Sequence, residues 1–357
     1  MGTRATAGTC LVRLVKMAVP LLREAERRSP RTGPGAKPEI PDWLIGVLIM
    51  VAILKRKKSK SSQFRFLSEQ ENRLQIARET GCRQFPSRST FFRRYRRAYQ
   101  LFRAAIRLQG ETAIAEGVTD PCDVAVDKSL IAAHGPAWHK RDRERGKIPA
   151  GVDRDSTWGY SEHDGWVQGY SYEVVVSATP GTTVFPLQAS ADTASTSETR
   201  TFAEKIGSLP DSTKTVSADS GYDTNAYGET IEFDDRARRT GRRFLCPENP
   251  RHGSRKKTKP CHADASRAKS RALRSERKRF FSGRRGRRIY SRRKTTVEPF
   301  HQWFKSLFEL EGRVWHRGLK NNRTQIVAAI FTYQLLVRYN FRRGRKNGRV
   351  RWILDSL

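Results

Sequence analysis

The stretch that decides the fold runs from Tyr290 to Lys305 and reads Y-S-R-R-K-T-T-V-E-P-F-H-Q-W-F-K. Two threonines and a proline flank Glu298, and these residue types favour a helix start at that point. Aromatic residues then recur at helical spacing and predict an apolar face: Phe300, Trp303 and Phe304. Glu298 and Lys305 are separated by two helical turns, so both side chains are predicted to project from one side of the helix.

A carboxylate and an ammonium on one side of a helix can hold a metal ion and a phosphate together. Three cations directly upstream would add to the binding of phosphate: Arg292, Arg293 and Lys294. The alternative is an amphipathic helix whose acid and base are simply solvated. These residues alone leave both interpretations open, so the rest of the chain must decide between them.

The composition indicates a protein that binds a polyanion. The chain has 357 residues, enough for one large domain or two to three smaller ones, and its 37% hydrophobic residues suffice for a core. Seventy Lys and Arg residues against 36 Asp and Glu give a formal net charge of +34. Nucleic acid is the commonest partner of so basic a chain, although a merely basic or ribosomal-type protein would share this composition.

The cysteines and the apolar runs exclude other classes. Five scattered cysteines, an odd number, argue against a disulfide framework and for a reducing compartment. The longest apolar run, Trp43–Leu54, is too short to span a bilayer and is predicted to be a buried helix that Asp42 caps.

The N-terminal third predicts a flexible segment and then a helical region. Residues 1–40 have mixed polarity and end in a Pro/Gly-rich run, so we expect them to be flexible. Residues 41–117 are predicted to be a small all-helical DNA-binding region: helices Trp43–Leu54, Gln63–Glu79, and one from near Ser89 past Ile106. Arginines fill the other faces of the third helix, which is compatible with a helix-turn-helix unit but also with an ordinary surface helix.

From Cys122 the apolar period changes from helical to alternating. The predicted elements in series are a strand ending at Asp127, strands Tyr170–Ala178 and Thr182–Ala189 paired as an antiparallel hairpin, helix Thr199–Leu209, and a short strand Lys214–Ala218 ending at Asp219. A later apolar helix over Thr324–Tyr339 is expected to pack on the sheet. Residues 118–340 are therefore predicted to form one α/β catalytic domain, followed by a basic tail over 341–357.

A basic insertion is predicted at about residues 236–289. Between Arg251 and Lys294, 19 Lys and Arg stand against two acids, a net charge of 19 − 2 = +17. Such a segment suits the DNA backbone. Four residues in this part of the chain can also be interpreted as a zinc site, although their spacing lacks the usual close pair of ligands: Cys246, His252, Cys261 and His262.

Three carboxylates carry the predicted chemistry: Asp127, Asp219 and Glu298. Strand ends in a mixed sheet open onto a common edge, where residues that are distant in sequence converge. Hard oxygen ligands suit Mg²⁺ or Mn²⁺, and two such ions about 4 Å apart can stabilise both the attacking and the leaving oxygen of a phosphodiester. Asp123 and Asp223 lie close to the first two acids and are the alternatives to them.

Three motifs resemble the acidic motifs of DDE transposases from bacterial insertion sequences: V-A-V-D-K-S, V-S-A-D-S-G-Y-D and T-T-V-E-P-F-H-Q-W-F-K. The resemblance implies a ribonuclease H-like fold, in which a mixed sheet is flanked by helices. It also implies two divalent ions held by Asp127, Asp219 and Glu298, cleavage at transposon ends, and joining of the freed 3′-hydroxyl to target DNA. Lys305 matches the DNA-contacting lysine of the family's Tyr-Arg-Glu-Lys signature.

The upstream half of that signature departs from the family pattern. Lys294 stands where the arginine is expected, and Tyr290 and Arg293 each sit one residue early. A small shift at the loop–helix junction would restore both, so all three are expected to contact DNA. The resemblance also implies duplex DNA as partner, a homodimer on that DNA, and a location in the cytoplasm at the bacterial nucleoid. The alternatives are a ribonuclease H-like nuclease without strand transfer and a non-enzymatic basic nucleic-acid-binding protein.

Overall fold

The computed structural model describes residues 7–29, 39–224, 241–249, 265–345 and 348–357 of the chain. Six helices come first: α1 Ala7–Arg28, α2 Asp42–Leu54, α3 Lys60–Ser68, α4 Gln70–Thr80, α5 Arg88–Tyr95 and α6 Tyr99–Ala115. Helix α2 matches the predicted apolar run, and every residue from Trp43 to Leu54 is buried. Apolar side chains on all sides of a helix require protein on all sides, and α1, α5, α6 and a later helix supply it.

The prediction of a flexible segment over residues 1–40 is corrected for Ala7–Arg28. This stretch is helix α1, which packs against α2 and α6. Its buried apolar side chains recur at helical spacing: Leu11, Leu14, Val15, Ala18, Leu22 and Ala25. The charged residues between them gave the stretch its mixed polarity, and only the period reveals the apolar face.

Two predicted helices are each broken into a pair. The predicted helix Gln63–Glu79 is α3 followed by α4, with the break at Glu69 in an extended conformation. The predicted third helix is α5 followed by α6, with a turn at 96–98 between them. Asp42 does not cap α2: Pro41 occupies the N-cap, and Glu26 Oε1 instead accepts the Asp42 N–H at 2.7 Å.

The sheet has six strands: β1 Asp123–Ala132, β2 Thr157–Ser161, β3 Gly165–Ser177, β4 Pro186–Thr193, β5 Thr215–Ser217 and β6 Arg243–Leu245. Its order is β2-β3-β1-β5-β6, and β4 pairs with the C-terminal half of β3. Strand β1 is antiparallel to β3 and parallel to β5, so the sheet is mixed. The predicted hairpin is confirmed as β3 and β4, but β1 continues through Ala132, so Asp127 lies within the strand and not at its end.

The remaining helices are α7 Lys140–Glu144, α8 Glu198–Ile206, α9 Ala265–Ser282, α10 Arg284–Tyr290, α11 Val297–Leu307, α12 Leu319–Arg342 and α13 Arg351–Asp355. Helix α12 is buried from Thr324 to Asn340 and packs on α6, β4 and α2, which confirms the predicted apolar helix. Helix α11 packs on β1 and β3. The chain is therefore mixed α/β, with helices covering the sheet.

Two predicted segments are described only in part. The basic insertion at 236–289 lies largely outside the described residues, although α9 and α10 belong to it. The predicted basic tail is partly folded into the protein, because Ile353 and Leu354 of α13 are buried in the common core. Among the described helices, none combines the length and the apolarity needed to cross a bilayer.

Candidate active site

Asp127 lies on β1, the strand that has β3 on one side and β5 on the other. Its Oδ1 accepts the backbone N–H of Lys128 at 2.9 Å, and only 15% of its side chain is exposed. Burial raises the pKa of Asp127 to about 7; the charges of Asp219 and Glu198 add to this rise, and Arg293 opposes it. A carboxylate so placed needs positive charge nearby in order to ionise.

Asp219 lies two residues beyond the end of β5, the strand that pairs in parallel with β1. Ala125 of β1 pairs with Ser217 of β5 in parallel, and each aspartate follows its paired residue by two positions. Asp219 also begins a 3₁₀ turn, Ser220–Tyr222, by accepting the Gly221 N–H on Oδ1 at 2.9 Å. Parallel pairing therefore brings the two predicted acids close together where β5 ends beside β1.

Glu198, at the start of α8, is a third carboxylate here, and the sequence did not single it out. A Cβ built on Gly221 would lie 1.9 Å from Glu198 Oε2 and 3.1 Å from Asp219 Oδ1. A larger residue at position 221 would therefore displace the Glu198 carboxylate from its position beside Asp219. Burial first, and then the charge of Asp219, raise the pKa of Glu198. In the sequence, Glu198 resembles any acid in a first helical turn, so no pattern distinguishes it.

Two basic side chains face Asp127 from the segment around the start of α11. Arg293 is buried, with Nη2 3.3 Å from Asp127 Oδ2 and Nη1 3.1 Å from the Tyr290 hydroxyl. His301 is buried as well, with Nε2 3.8 Å from Asp127 Oδ2 and Nδ1 2.9 Å from the Tyr172 hydroxyl. Burial first, and then the charges of Lys305 and Arg293, lower the pKa of His301 to about 3, so its ring is neutral.

Glu298 lies in the first turn of α11, and its side chain is exposed. Of the residues that the structure describes, none makes a hydrogen bond or an ion pair with its carboxylate. Within the same residues, no three His, Cys, Asp or Glu side chains are grouped closely enough to hold a metal ion. The structure thus brings Asp127, Asp219 and Arg293 together, and no contact joins Glu298 to them.

The span that contains this site is matched by a family model, the transposase DDE domain, over residues 119–335. The chain belongs to the DDE transposase family. The match begins just before β1 and ends within α12, so it includes the whole sheet and every carboxylate discussed above. Searches among curated proteins and among solved structures found no match.

The residues predicted to contact DNA are spread along α10 to α11 of the transposase. Lys305 is half-buried. Burial lowers the pKa of its ammonium group, and the negative charge of Asp164 in the β2–β3 turn partly offsets this fall. Tyr290 packs edge-on against Phe281, and Lys294 is exposed. Trp303 does not belong to the buried apolar face that the sequence predicts. Its side chain is 53% exposed, whereas Phe300 and Phe304 are buried.

The predicted zinc alternative lies mostly outside the described residues, since only Cys246 of its four members is described. Cys246 Sγ is 2.8 Å from the Asp219 carbonyl oxygen, to which it donates. Burial, more than the neighbouring acids, raises the pKa of this thiol. Cys246 is thus a neutral thiol behind the Asp219 turn.

The residue types at this edge suit a hard divalent cation. Asp127, Asp219 and Glu198 offer carboxylate oxygens, the ligands that Mg²⁺ and Mn²⁺ prefer. The buried Nε2 of His301 and Nε of Arg293 lack hydrogen-bond partners among the described residues, and both side chains contact Asp127. Unsatisfied buried donors beside a carboxylate indicate a site that completes its bonds only with an additional ligand or water.

Proposed function

We propose that the chain is a DNA transposase that cuts transposon ends and joins the freed 3′-hydroxyl to target DNA. One observation carries the proposal: within the matched family span, Asp127 lies on β1, Asp219 follows the parallel strand β5 by two residues, and buried Arg293 lies 3.3 Å from Asp127. This combination of paired acids and a fixed cation suits phosphodiester chemistry better than a passive basic surface.

We infer that the sheet is the ribonuclease H-like arrangement that the sequence resemblance implies. Two features support this inference: the mixed strand directions, and the placement of Asp127 on the central strand β1 with Asp219 just beyond the end of its parallel neighbour β5. Glu298 would supply the third carboxylate from α11, a helix that packs directly on β1 and β3.

The proposed mechanism assigns a task to each side chain. Asp127, Asp219 and Glu298 would hold divalent ions, which supply activation of the attacking hydroxyl and stabilisation of the leaving oxygen. Arg293 favours the ionised form of Asp127 and offsets phosphate charge near it. If the Tyr172 hydroxyl donates to Nδ1 of His301, the Nε2–H points toward Asp127 and orients its carboxylate. Lys305 and Lys294 offset the charge of the DNA backbone.

The test compares Asp219→Asn with Asp223→Asn, the alternative acid in the same motif. We expect Asp219→Asn to abolish Mg²⁺-dependent cleavage of a transposon-end duplex and to leave DNA binding intact. Asp223 accepts the Asn249 N–H and a bond from Arg274 Nη2, each at 2.9 Å; asparagine can accept both and loses only the charge, so Asp223→Asn should retain cleavage. Equal cleavage by Asp219→Asn and the wild type would leave only a nucleic-acid-binding protein. A 3′-labelled end that is cut but never joined to target DNA would identify a nuclease without strand transfer.

A further inference from the structure

An open cavity of about 550 Å³ lies where the helical region meets the sheet domain, away from the carboxylates. Four cations line it: Arg96, which follows α5, Arg154 in the loop before β2, and Arg317 and Lys320 at the start of α12. All four side chains are exposed, and none forms an ion pair with a described residue. Four like charges converging on one concave surface create a positive potential that an anion would relieve.

The two acids of the cavity are already engaged. Asp153 is buried and accepts the Gly318 N–H at 3.0 Å and the Tyr170 hydroxyl at 2.6 Å. Asp155 Oδ2 accepts the Leu319 N–H at 2.9 Å. Both carboxylates thus bond to the first N–H groups of α12 and leave the four cations unpaired, with a net charge of 4 − 2 = +2 at the cavity.

The cavity is preorganised by buried contacts behind it. The Tyr95 hydroxyl lies 3.0 Å from His316 Nε2, and this buried bond fixes the chain neighbours Arg96 and Arg317 relative to each other. Gly151, at φ +79°, leaves space for the Arg317 guanidinium, since a Cβ there would lie 2.9 Å from Nη2. Half-buried Lys60 donates to Asn321 Oδ1 at 3.0 Å and adds a fifth positive charge near the cavity. Burial first, and then the charge of Arg96, lower the pKa of Lys60.

We propose that this cavity binds the phosphate backbone of duplex DNA and so holds one DNA segment across both the helical region and the catalytic domain. The inference takes DNA as the partner from the proposed function, but it does not depend on the cleavage chemistry. Exposed, unpaired arginines at fixed spacing suit phosphodiester oxygens, and the open shape admits a continuous backbone. The position also explains why cations of two separate regions face one space.

The experiment measures how the affinity for a linear duplex depends on salt, in EDTA so that no cleavage occurs. It compares Arg96→Gln/Arg317→Gln with a matched control, Arg13→Gln/Lys214→Gln. The control removes the same charge from two exposed positions, one on α1 and one just before β5, that do not line the cavity and lie outside the predicted DNA-binding region. Each lost phosphate contact lowers the salt slope by about 1. From 50 to 200 mM salt, the control pair should therefore lose about tenfold more affinity than the cavity pair.

Equal salt slopes for the two double variants would overturn the proposal. Arg96→Lys/Arg317→Lys keeps the charge and should keep the slope, and Arg154→Gln/Lys320→Gln provides a second cavity pair if the first does not fold. A calorimetric titration with inorganic phosphate at matched ionic strength tests whether the cavity binds free phosphate rather than the phosphates of DNA. Phosphate binding that the cavity pair abolishes, together with unchanged DNA slopes, would indicate a small-anion site and overturn the DNA assignment. Loss of cleavage by Asp219→Asn tests the proposed function separately.

Discussion

Asp127 is held where its charged form is disfavoured. It is buried in a strand, beside Asp219 and near Glu198, and its pKa is about 7. In an unfolded chain an aspartate titrates near 3.9. The folded protein therefore retains the proton over the window between these two values, and the stability contributed by Asp127 is lost as the pH rises through it.

Asp127→Asn removes this buried charge, so we expect it to stabilise the metal-free protein at pH 8 by on the order of 1–3 kcal/mol. At pH 5, only about one unit above the unfolded value, the gain should be about a third as large, and it should vanish below about pH 4. Urea unfolding in EDTA at both pH values measures the difference. Glu311→Gln, which removes an exposed carboxylate, is the control for net charge. A larger gain at pH 5 than at pH 8 would contradict the assignment. Added Mg²⁺ should stabilise the wild type more than the variant.

Glu298 and Glu198 compete for the position of third carboxylate. The exposed side chain of Glu298 makes no hydrogen bond or ion pair with the described residues, so Glu298→Gln should leave the melting temperature within about 1 °C of the wild type. If it completes the proposed triad, the same change should lower the cleavage rate at least about 100-fold. Glu311→Gln should change neither quantity. Full activity of Glu298→Gln with an inactive Glu198→Gln would transfer the role to the helix α8 acid.

The motifs that follow apolar strands led to the prediction of Asp127 and Asp219, and the structure places the two aspartates close together although Asp127 lies within β1. The same reasoning missed Glu198 and His301, for a physical reason. Glu198 begins a helix, where acids are common, and His301 lies among the buried residues of an amphipathic helix. Their proximity to the aspartates depends on how α8 and α11 pack on the sheet, which no local pattern encodes.

At the scale of elements, a buried network holds the Asp219 turn against its neighbours. Glu173 of β3 accepts from Lys205 Nζ at 2.6 Å, from Thr201 Oγ1 at 2.6 Å and from the Tyr222 hydroxyl at 2.9 Å. Lys205 and Glu173 are only 2% and 1% exposed. The network thereby joins β3, α8 and the 3₁₀ turn that Asp219 begins.

Lys205→Met should cost about 3–5 kcal/mol in the free energy of unfolding, because it leaves Glu173 as an unpaired buried charge. The double variant Glu173→Leu/Lys205→Met should cost less than the single change, since both charges are removed together. Tyr222→Phe is the matched smaller change and should cost about 1 kcal/mol. Chemical denaturation of the wild type, Lys205→Met, Glu173→Leu and the double variant gives the coupling energy of the pair. Additive effects of the two single changes would mean that the ion pair is not coupled.

The elements that could be predicted are those whose apolar pattern or turn residues are clear within a single stretch of sequence. Helices α2 and α12 are long and apolar, and the β3–β4 hairpin surrounds a Pro-Gly turn. The ends of the elements could not be predicted, because pairing with segments distant in sequence determines where each element stops. Strand β1 runs on to Ala132 because β3 pairs with it residue for residue up to Gly169. The breaks at Glu69 and after Tyr95 likewise allow short helices to turn and pack, although the apolar period continues through both.

At the scale of the whole molecule, one core joins the N-terminal helices to the sheet domain. Buried residues from α1, α2, α6, the sheet and α12 form a continuous cluster. The junction also carries polar links: the Tyr95–His316 bond and the Lys60–Asn321 bond. A DNA segment bound by the helical region would therefore be held in a fixed position relative to the candidate active site, because the two regions share this core.

This view makes α1 a structural part of the transposase rather than a flexible leader. Leu14 and Leu22 of α1 are fully buried, so Leu14→Ala and Leu22→Ala should each cost about 2–5 kcal/mol in unfolding free energy. Arg13→Gln, an exposed neighbour on the same helix, should cost less than about 0.5 kcal/mol. Deleting residues 1–28 should expose α2 and α6 and lower the unfolding midpoint further than either point variant. If α1 were detachable, the deletion and both leucine variants would unfold at the wild-type denaturant concentration. Cleavage should decline in parallel with stability, because α1 is connected to the candidate active site only through the shared core.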